Sequence, residues 1–386
     1  MASCERRAFA RVTSRGARLL GQTMSAVRAL LRSTTSVHVF SMFSQRKRYQ
    51  RDRERLLGSR AFRRLSGKTQ VLAIPSNPHV RTRLTHTLEV SSIAREVGRG
   101  LGLIDPLLDA IALGHDVGHP AFGHAGERAI AAFVPGGFHH ASHGVRVVTD
   151  LEPGLDLSPE VVDGILKHSK GRAGSVFARG PVLGHATREA LAVRAADLFA
   201  YACHDLDDAY LLGALRPSDL PRRVSEVLGT TPSDVRRMLV LATIRASLSS
   251  GELAVDPETG EALQELREFL YERLYEAPRI ASQTAFVRSL FELLWEAALE
   301  RRAAFDGALE CLGTGLTLGS SLARGFVDAV AAMTDRQVLE VARALGLPSR
   351  AWSLPGVVAF APLVSSGRAT ASGKVGSVRS VGALDP

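Results

Sequence analysis

The chain has 386 residues, 45% hydrophobic and 23% charged, enough to bury one large core or two smaller ones. Its three cysteines, Cys4, Cys203 and Cys311, are odd in number and lack C-x-x-C spacing, which argues against a disulfide framework or thiolate zinc site and fits a reducing, cytoplasmic setting. The net charge of +9 is unevenly held, because residues 1–68 carry 17 Lys and Arg against 3 acids, a balance of +14 that leaves the remainder at −5.

Residues 1–45 are rich in Arg and Ser and lack an uninterrupted apolar run. Their composition resembles a transit peptide, but the expectation preferred here is a disordered basic extension, with Met24 and Met42 as in-frame alternative starts. A basic arm suits nucleic acid, a membrane surface or a polyphosphate, and charge alone does not choose among them. No stretch approaches the roughly 18 apolar residues needed to span a bilayer.

From residue 46 the pattern is helical almost throughout, without sustained period-2 alternation or 20–50-residue repeats. Val90, Ile93, Ala94, Val97 and Leu101 form one stripe, and His86 lies one turn earlier on the same face. Asp105-Pro106 predicts a helix start, with Asp105 as N-cap and Pro106 at the first helical position. Leu108, Ile111, Ala112 and His115 share the next face, so His115 projects inward near a C-terminus stopped by Gly118 and Pro120. Between Glu189 and Tyr210, the positions Ala190, Val193, Asp197, Ala200 and His204 align in the same way. Residues 261–275 and 283–304 predict long amphipathic helices, and 323–346 one or two more. The expected organisation is a catalytic core over 46–210, a helical region over 211–350 packed on it, and a disordered Ser- and Gly-rich tail over 365–386.

The chemistry concentrates in Ala112-Leu-Gly-His-Asp-Val-Gly-His-Pro-Ala-Phe-Gly-His-Ala-Gly-Glu127. It sets His115 beside Asp116 and spaces His119, His124 and Glu127 along a glycine-rich turn. Taken singly, His86 reads as a hydrogen-bonded core histidine and Asp197 as a buried partner for an arginine such as Arg194. Taken together, His86, the His115-Asp116 pair and Asp197 lie on inner faces of three separate predicted helices, which is how helical bundles build metal sites. Two imidazoles and two carboxylates without sulfur suit Mn²⁺, Fe²⁺, Co²⁺, Mg²⁺ or Zn²⁺. The two carboxylates only cancel a divalent charge, so attraction for a polyphosphate must come from side chains such as Arg81 and Arg83, or from the Arg-rich 46–68 stretch.

Several ordered motifs resemble the deoxyguanosinetriphosphate triphosphohydrolase (dGTPase)-like family within the HD superfamily of metal-dependent phosphohydrolases. They are Tyr49-Gln-Arg-Asp-Arg-Glu-Arg55, Ser59-Arg-Ala-Phe-Arg-Arg-Leu65, Lys68-Thr-Gln-Val71, Arg81-Thr-Arg-Leu-Thr-His86 and the 112–127 segment. Phe138-His-His140, Gly164-Ile-Leu-Lys-His168, Ala196-Asp-Leu-Phe-Ala-Tyr201, His204-Asp-Leu-Asp-Asp208 and Val327-Asp-Ala-Val-Ala-Ala-Met-Thr-Asp-Arg336 extend the likeness over about residues 49–350. Ala121 departs from a usual second proline, and Ala141-Ser142-His143 replaces a more amide- and acid-rich run.

The resemblance implies an all-α fold, an HD-domain helical bundle extended by further C-terminal helices. It implies one divalent metal per site on His86, His115, Asp116 and Asp197, and His124 as the catalytic histidine, oriented by Glu127. Arg51, Arg64 and Gln70 fall in nucleotide-holding motifs, and His119 and His140 join Arg81 and Arg83 in the expected substrate-contacting set. The implied reaction converts a dNTP into deoxynucleoside and inorganic triphosphate. Relatives form homo-oligomers, some take an activating nucleotide and some bind single-stranded DNA. Two alternatives stay open: an HD phosphodiesterase or 5′-nucleotidase, and a regulatory nucleic-acid-binding protein using the basic 1–68 region.

Overall fold

Fifteen α-helices carry the residues described by the computed structural model, which are 34–70, 79–134, 136–169, 186–275, 278–313 and 315–348. In chain order they are α1 (Thr34–Gly58), α2 (Arg60–Arg64), α3 (Arg83–Leu101), α4 (Asp105–Gly114), α5 (Gly123–Ile130), α6 (His140–Arg146), α7 (Pro159–Lys167) and α8 (Arg188–Leu211). They continue with α9 (Arg222–Val227), α10 (Pro232–Ser250), α11 (Pro257–Leu270), α12 (Pro278–Glu300), α13 (Arg302–Cys311), α14 (Leu322–Ala332) and α15 (Asp335–Ala344). Among the described residues there is no strand, only an isolated bridge between Thr69 and Thr82, and no helix long and apolar enough to cross a membrane. Helix α1 begins inside the expected 1–45 extension; that segment up to residue 33 and the 365–386 tail lie outside the described residues.

Helices α3, α4 and α8 make the centre. Thr82 and Thr85 close a reciprocal capping box at the start of α3, and Gly102 ends it in the left-handed conformation at φ 67°. Val90, Ile93, Ala94 and Val97 bury its inner face, on which His86 also lies. Helix α4 is buried from Leu107 to Gly114, so it is apolar around most of its circumference and sits between α1, α3, α7 and α8. A second apolar cluster joins Ile130 of α5 to Val287, Phe291, Phe305, Phe326 and Val338, seating α12 to α15 on the core.

Its start corrects the predicted cap. Ile104, not Asp105, is the N-cap, because Leu107 and Leu108 both donate to the Ile104 carbonyl at 3.0 and 3.1 Å. Asp105 instead turns to Arg95 at 3.1 Å. The helix ends at Gly114 with His115 as its C-cap, earlier than the breakers at Gly118 and Pro120 suggest. Further along, the 323–346 segment divides in two, with Thr334 and Gln337 forming a capping box that starts α15. The 283–304 segment also divides, at Arg301 between α12 and α13. Helix α10 is absent from the predicted stripes: Leu241 and Leu248 are exposed while Thr243 and Ser247 are buried, which blurs its apolar face.

The segment between α4 and α5 is fixed from three sides. Gly118 lies so close to the backbone of His140 and Gly144 that a Cβ there would overlap both. Phe122 adopts φ 61°, costly for a bulky residue, and donates its N–H to Asp335 Oδ1 at 2.7 Å. Asp335 also accepts from the Thr69 N–H at 3.0 Å, and the buried Lys68 Nζ donates to the carbonyls of His119 at 2.6 Å and Ala331 at 2.7 Å. The C-terminal helices therefore brace the turn that carries His115 to His124.

Candidate metal centre

His86 enters from the second turn of α3, His115 and Asp116 from the C-terminus of α4, and Asp197 from the middle of α8. His86 Nε2 lies 3.0 Å from Asp197 Oδ1, and His115 Nε2 lies 3.7 Å from that same oxygen. One ligand atom from each of these three residues falls within 4.8 Å of the others. Asp116 adjoins the group: its Oδ1 is 3.5 Å from His115 Nε2, while its Oδ2 accepts from Arg83 Nη1 at 2.6 Å. Thus the structure brings the four expected ligands to one buried place, with Asp116 on its edge.

Tautomers follow from the hydrogen bonds. His115 Nδ1 donates to the Ala112 carbonyl at 2.6 Å, which leaves the lone pair on Nε2. That buried Nε2 makes no hydrogen bond. An unpaired buried acceptor is costly unless a donor or cation completes it. This orphaned nitrogen, with two carboxylates and a second imidazole beside it, fits a divalent ion.

Burial opposes ionisation of Asp116, yet His115, Arg83 and His119 around it hold its carboxyl well below the usual carboxylate range. Asp197 behaves alike: burial pushes up, and the His86 bond with His115 brings it down to about 2. Burial pushes His86 down to about 4 and His168 down to about 3. His86 and His168 are therefore neutral, and Asp116 and Asp197 ionised, near neutral pH, the forms that ligate metals.

A pH prediction follows for the metal-free protein. The folded-state values of His86 and His168 lie below the ordinary 6.5, so between that value and about 4 the unfolded chain binds protons that the folded chain refuses. Their contribution to stability is complete above pH 6.5 and declines as pH falls. Melting temperatures of chelator-treated protein should drop between pH 6.5 and 4; a flat profile over that window would contradict the assignment.

A second group borders the first. On α5, His124 Nδ1 donates to Glu127 Oε2 at 3.1 Å, and its Nε2 is 3.4 Å from the Tyr201 hydroxyl. The His124 side chain is 48% exposed, so it reaches the solvent-facing side of the centre. Glu127 also accepts from the His140 backbone N–H at 2.9 Å and from His140 Nδ1 at 3.0 Å. Burial opposes its ionisation, but the bonds from His124 and His140 drive its carboxyl far below the usual range. His119 stacks on His140 with ring centroids 3.9 Å apart and sets Nε2 3.3 Å from Asp116 Oδ1.

The expected substrate-contacting residues occupy unlike places. Arg81 is held by Asp208 at 2.7 Å, Asp207 at 2.8 Å and Glu89 at 3.2 Å, so three carboxylates already surround its charge. Arg83, two residues on, is fully buried against Asp116. Arg51 is exposed on α1, and Arg64 pairs with Glu152 at 3.3 Å. Gln70 is buried with neither amide atom hydrogen-bonded among the described residues, leaving it free to meet a ligand.

Three residues beyond the expected set stand inside the centre: His168, Tyr201 and His204. His204 Nδ1 faces His86 Nδ1 at 3.2 Å and its Nε2 contacts Glu89. Its place on the Asp197 stripe was the available signal. His143, in the departed Ala141-Ser142-His143 run, bonds the Gly118 carbonyl at 3.1 Å and Asp328 at 3.3 Å, and so braces the turn. Asp328 is held in addition by Arg146 at 2.7 Å.

Comparison with known proteins identifies the family. Residues 83–202 match the HD domain, and residues 253–344 match the phosphohydrolase-associated domain. A deoxyguanosinetriphosphate triphosphohydrolase-like protein of Caldanaerobacter subterraneus subsp. tengcongensis is 39% identical over 308 residues, covering 78% of this chain and 85% of its own. Another, from Deinococcus radiodurans, is 37% identical over 346 residues, with 78% and 90% covered. Among solved structures, a hypothetical protein from Aquifex aeolicus aligns with a TM-score of 0.43 at 18% identity, over 75% of this chain and 66% of that one.

Proposed function

We propose, for a chain that belongs to the deoxyguanosinetriphosphate triphosphohydrolase-like family of HD-domain phosphohydrolases, that its substrate is a deoxynucleoside triphosphate and its products are deoxynucleoside and inorganic triphosphate. The observation that carries the reading is the convergence of His86, His115, Asp116 and Asp197 beside a His124–Glu127 pair open to solvent on one side. These four residues would hold a divalent cation, which when bound supplies Lewis-acid polarisation of an α-phosphate oxygen and acidifies a water.

The other steps fall to the chain itself. Glu127 keeps the Nδ1–H of His124 donating to it, so the neutral ring keeps its lone pair on Nε2, beside the Tyr201 hydroxyl. Nε2 takes a proton from the attacking water and returns one to the departing 5′-oxygen, while ionised Glu127 stabilises the imidazolium between these events. His119, buried and stacked on His140, sets its Nε2 beside Asp116, and this reading assigns it to the wall of the phosphate site. Gln70 offers both amide atoms to the nucleotide. Arg51 on α1 and Arg64 on α2 are assigned to the distal phosphates in this reading.

Product analysis tests this. Purified protein with Mn²⁺ or Mg²⁺ and each dNTP in turn should release intact triphosphate and deoxynucleoside in equal amounts. Orthophosphate release from monophosphates, with dNTPs untouched, would favour the nucleotidase reading and overturn this one.

A further inference from the structure

His86 presents Nε2 to Asp197, and its other ring nitrogen turns toward His204 on α8. The two Nδ1 atoms stand 3.2 Å apart with the ring planes at 89° to each other, an approach that suits a hydrogen bond and not stacking. Both rings are buried, so these two nitrogens are left to satisfy one another. Only one of them can donate.

The far side of His204 decides which. Its Nε2 contacts the carboxylate of Glu89, which lies one turn after His86 on α3. Burial opposes ionisation of Glu89, but the bond from His204 and the charge of Arg81 hold its carboxyl below the usual range. An ionised carboxylate accepts and does not donate, so Nε2 of His204 carries a proton. The neutral ring then keeps its lone pair on Nδ1, where it accepts the Nδ1–H of His86. That leaves the lone pair of His86 on Nε2, aimed toward Asp197 Oδ1 at 3.0 Å. Asp197 alone would draw the proton to Nε2, and the contact with His204 opposes it.

We infer that Glu89 and His204 are positioning residues, a relay that keeps the proton of His86 on Nδ1 and its Nε2 lone pair free for the metal. The inference rests on the metal reading of that ligand group. Metal-ligating histidines usually give this proton to a carboxylate, a carbonyl or water, as His115 gives its own to the Ala112 carbonyl. His86 instead gives its proton to a second imidazole, and the carboxylate stands one step further out. Arg81 closes the outer end: it bonds Glu89 at 3.2 Å while Asp208 and Asp207 fix it from α8 at 2.7 and 2.8 Å. The relay thus gives Arg81 a place other than contact with substrate.

Metal affinity and proton order test the relay together. By calorimetry on the full chain, His204→Leu should bind Mn²⁺ about 10- to 100-fold more weakly, the usual loss when the partner of a ligating histidine is removed. His204→Gln, whose amide oxygen can still accept from His86, should recover most of that loss, which a merely space-filling role would not predict. Glu89→Gln, about 10-fold weaker, serves if His204→Leu fails to fold, because an amide can donate as well as accept and no longer fixes the order. Histidine ¹⁵N spectra of the wild type with Mg²⁺ should show His204 protonated on Nε2 and bare on Nδ1, and His86 the reverse. Unchanged affinity in a folded His204→Leu or Glu89→Gln variant, or Nδ1–H on His204, would overturn the relay and leave the metal reading standing. No Mn²⁺ bound by the wild type would remove the metal reading and the relay with it.

Discussion

Asp197→Ala should bind no metal at the three-helix centre and lose turnover by about 10³-fold or more, since Lewis-acid stabilisation contributes several kcal/mol and each 1.36 kcal/mol is a factor of ten. Its Oδ1 is the atom that both His86 Nε2 and His115 Nε2 approach, at 3.0 and 3.7 Å. Removing it deletes one of two negative charges and leaves two imidazoles with Asp116, which Arg83 already partly neutralises. The fold should survive, because α8 is held by Ala192, Val193, Ala196, Phe199 and Ala200, and Ala is a better helix former than Asp. Elemental analysis, circular dichroism and a turnover assay on one preparation check all three parts. Full turnover in the variant would take Asp197 out of the ligand set.

His124→Ala should separate chemistry from metal binding. The ring lies on the exposed side of the centre and touches Glu127 and Tyr201 rather than the proposed ligand atoms of the first group. The expected outcome is unchanged metal content with kcat lowered by at least about 10²-fold, the usual contribution of a positioned acid–base group. Stability should change little, because the side chain is half-exposed and Glu127 keeps two bonds from His140. Bound metal with unchanged kcat would refute proton transfer by His124.

The two variants probe different parts of a site whose residues were legible to different degrees. Inward projection of His86, His115 and Asp197 followed from apolar spacing at 3.6 residues per turn, and burial of all three stripes bears that spacing out. Helix ends were less legible. Ile104 has no capping side chain, yet its carbonyl opens α4 by accepting from Leu107 and Leu108, while Glu189, 85 residues away, takes its N–H. Arg81 and Arg83 looked equivalent as cation sources. Thr82 starts α3 between them, so Arg81 remains outside the helix against Asp207 and Asp208, while Arg83 enters the first turn and turns inward to Asp116.

What the amino-acid order determined alone is the all-helical architecture, the faces each helix buries, and which titratable residues ride on those faces. All of these depend on neighbours within a few turns. Which imidazole nitrogen keeps its lone pair, which arginine is already neutralised, and that His140 meets His168 while Asp328 and Asp335 clamp the turn from 182 to 266 residues away were decided only by tertiary structure. Charges and hydrogen bonds act over a few ångströms in space, and separation along a chain carries no record of that distance until the helices pack.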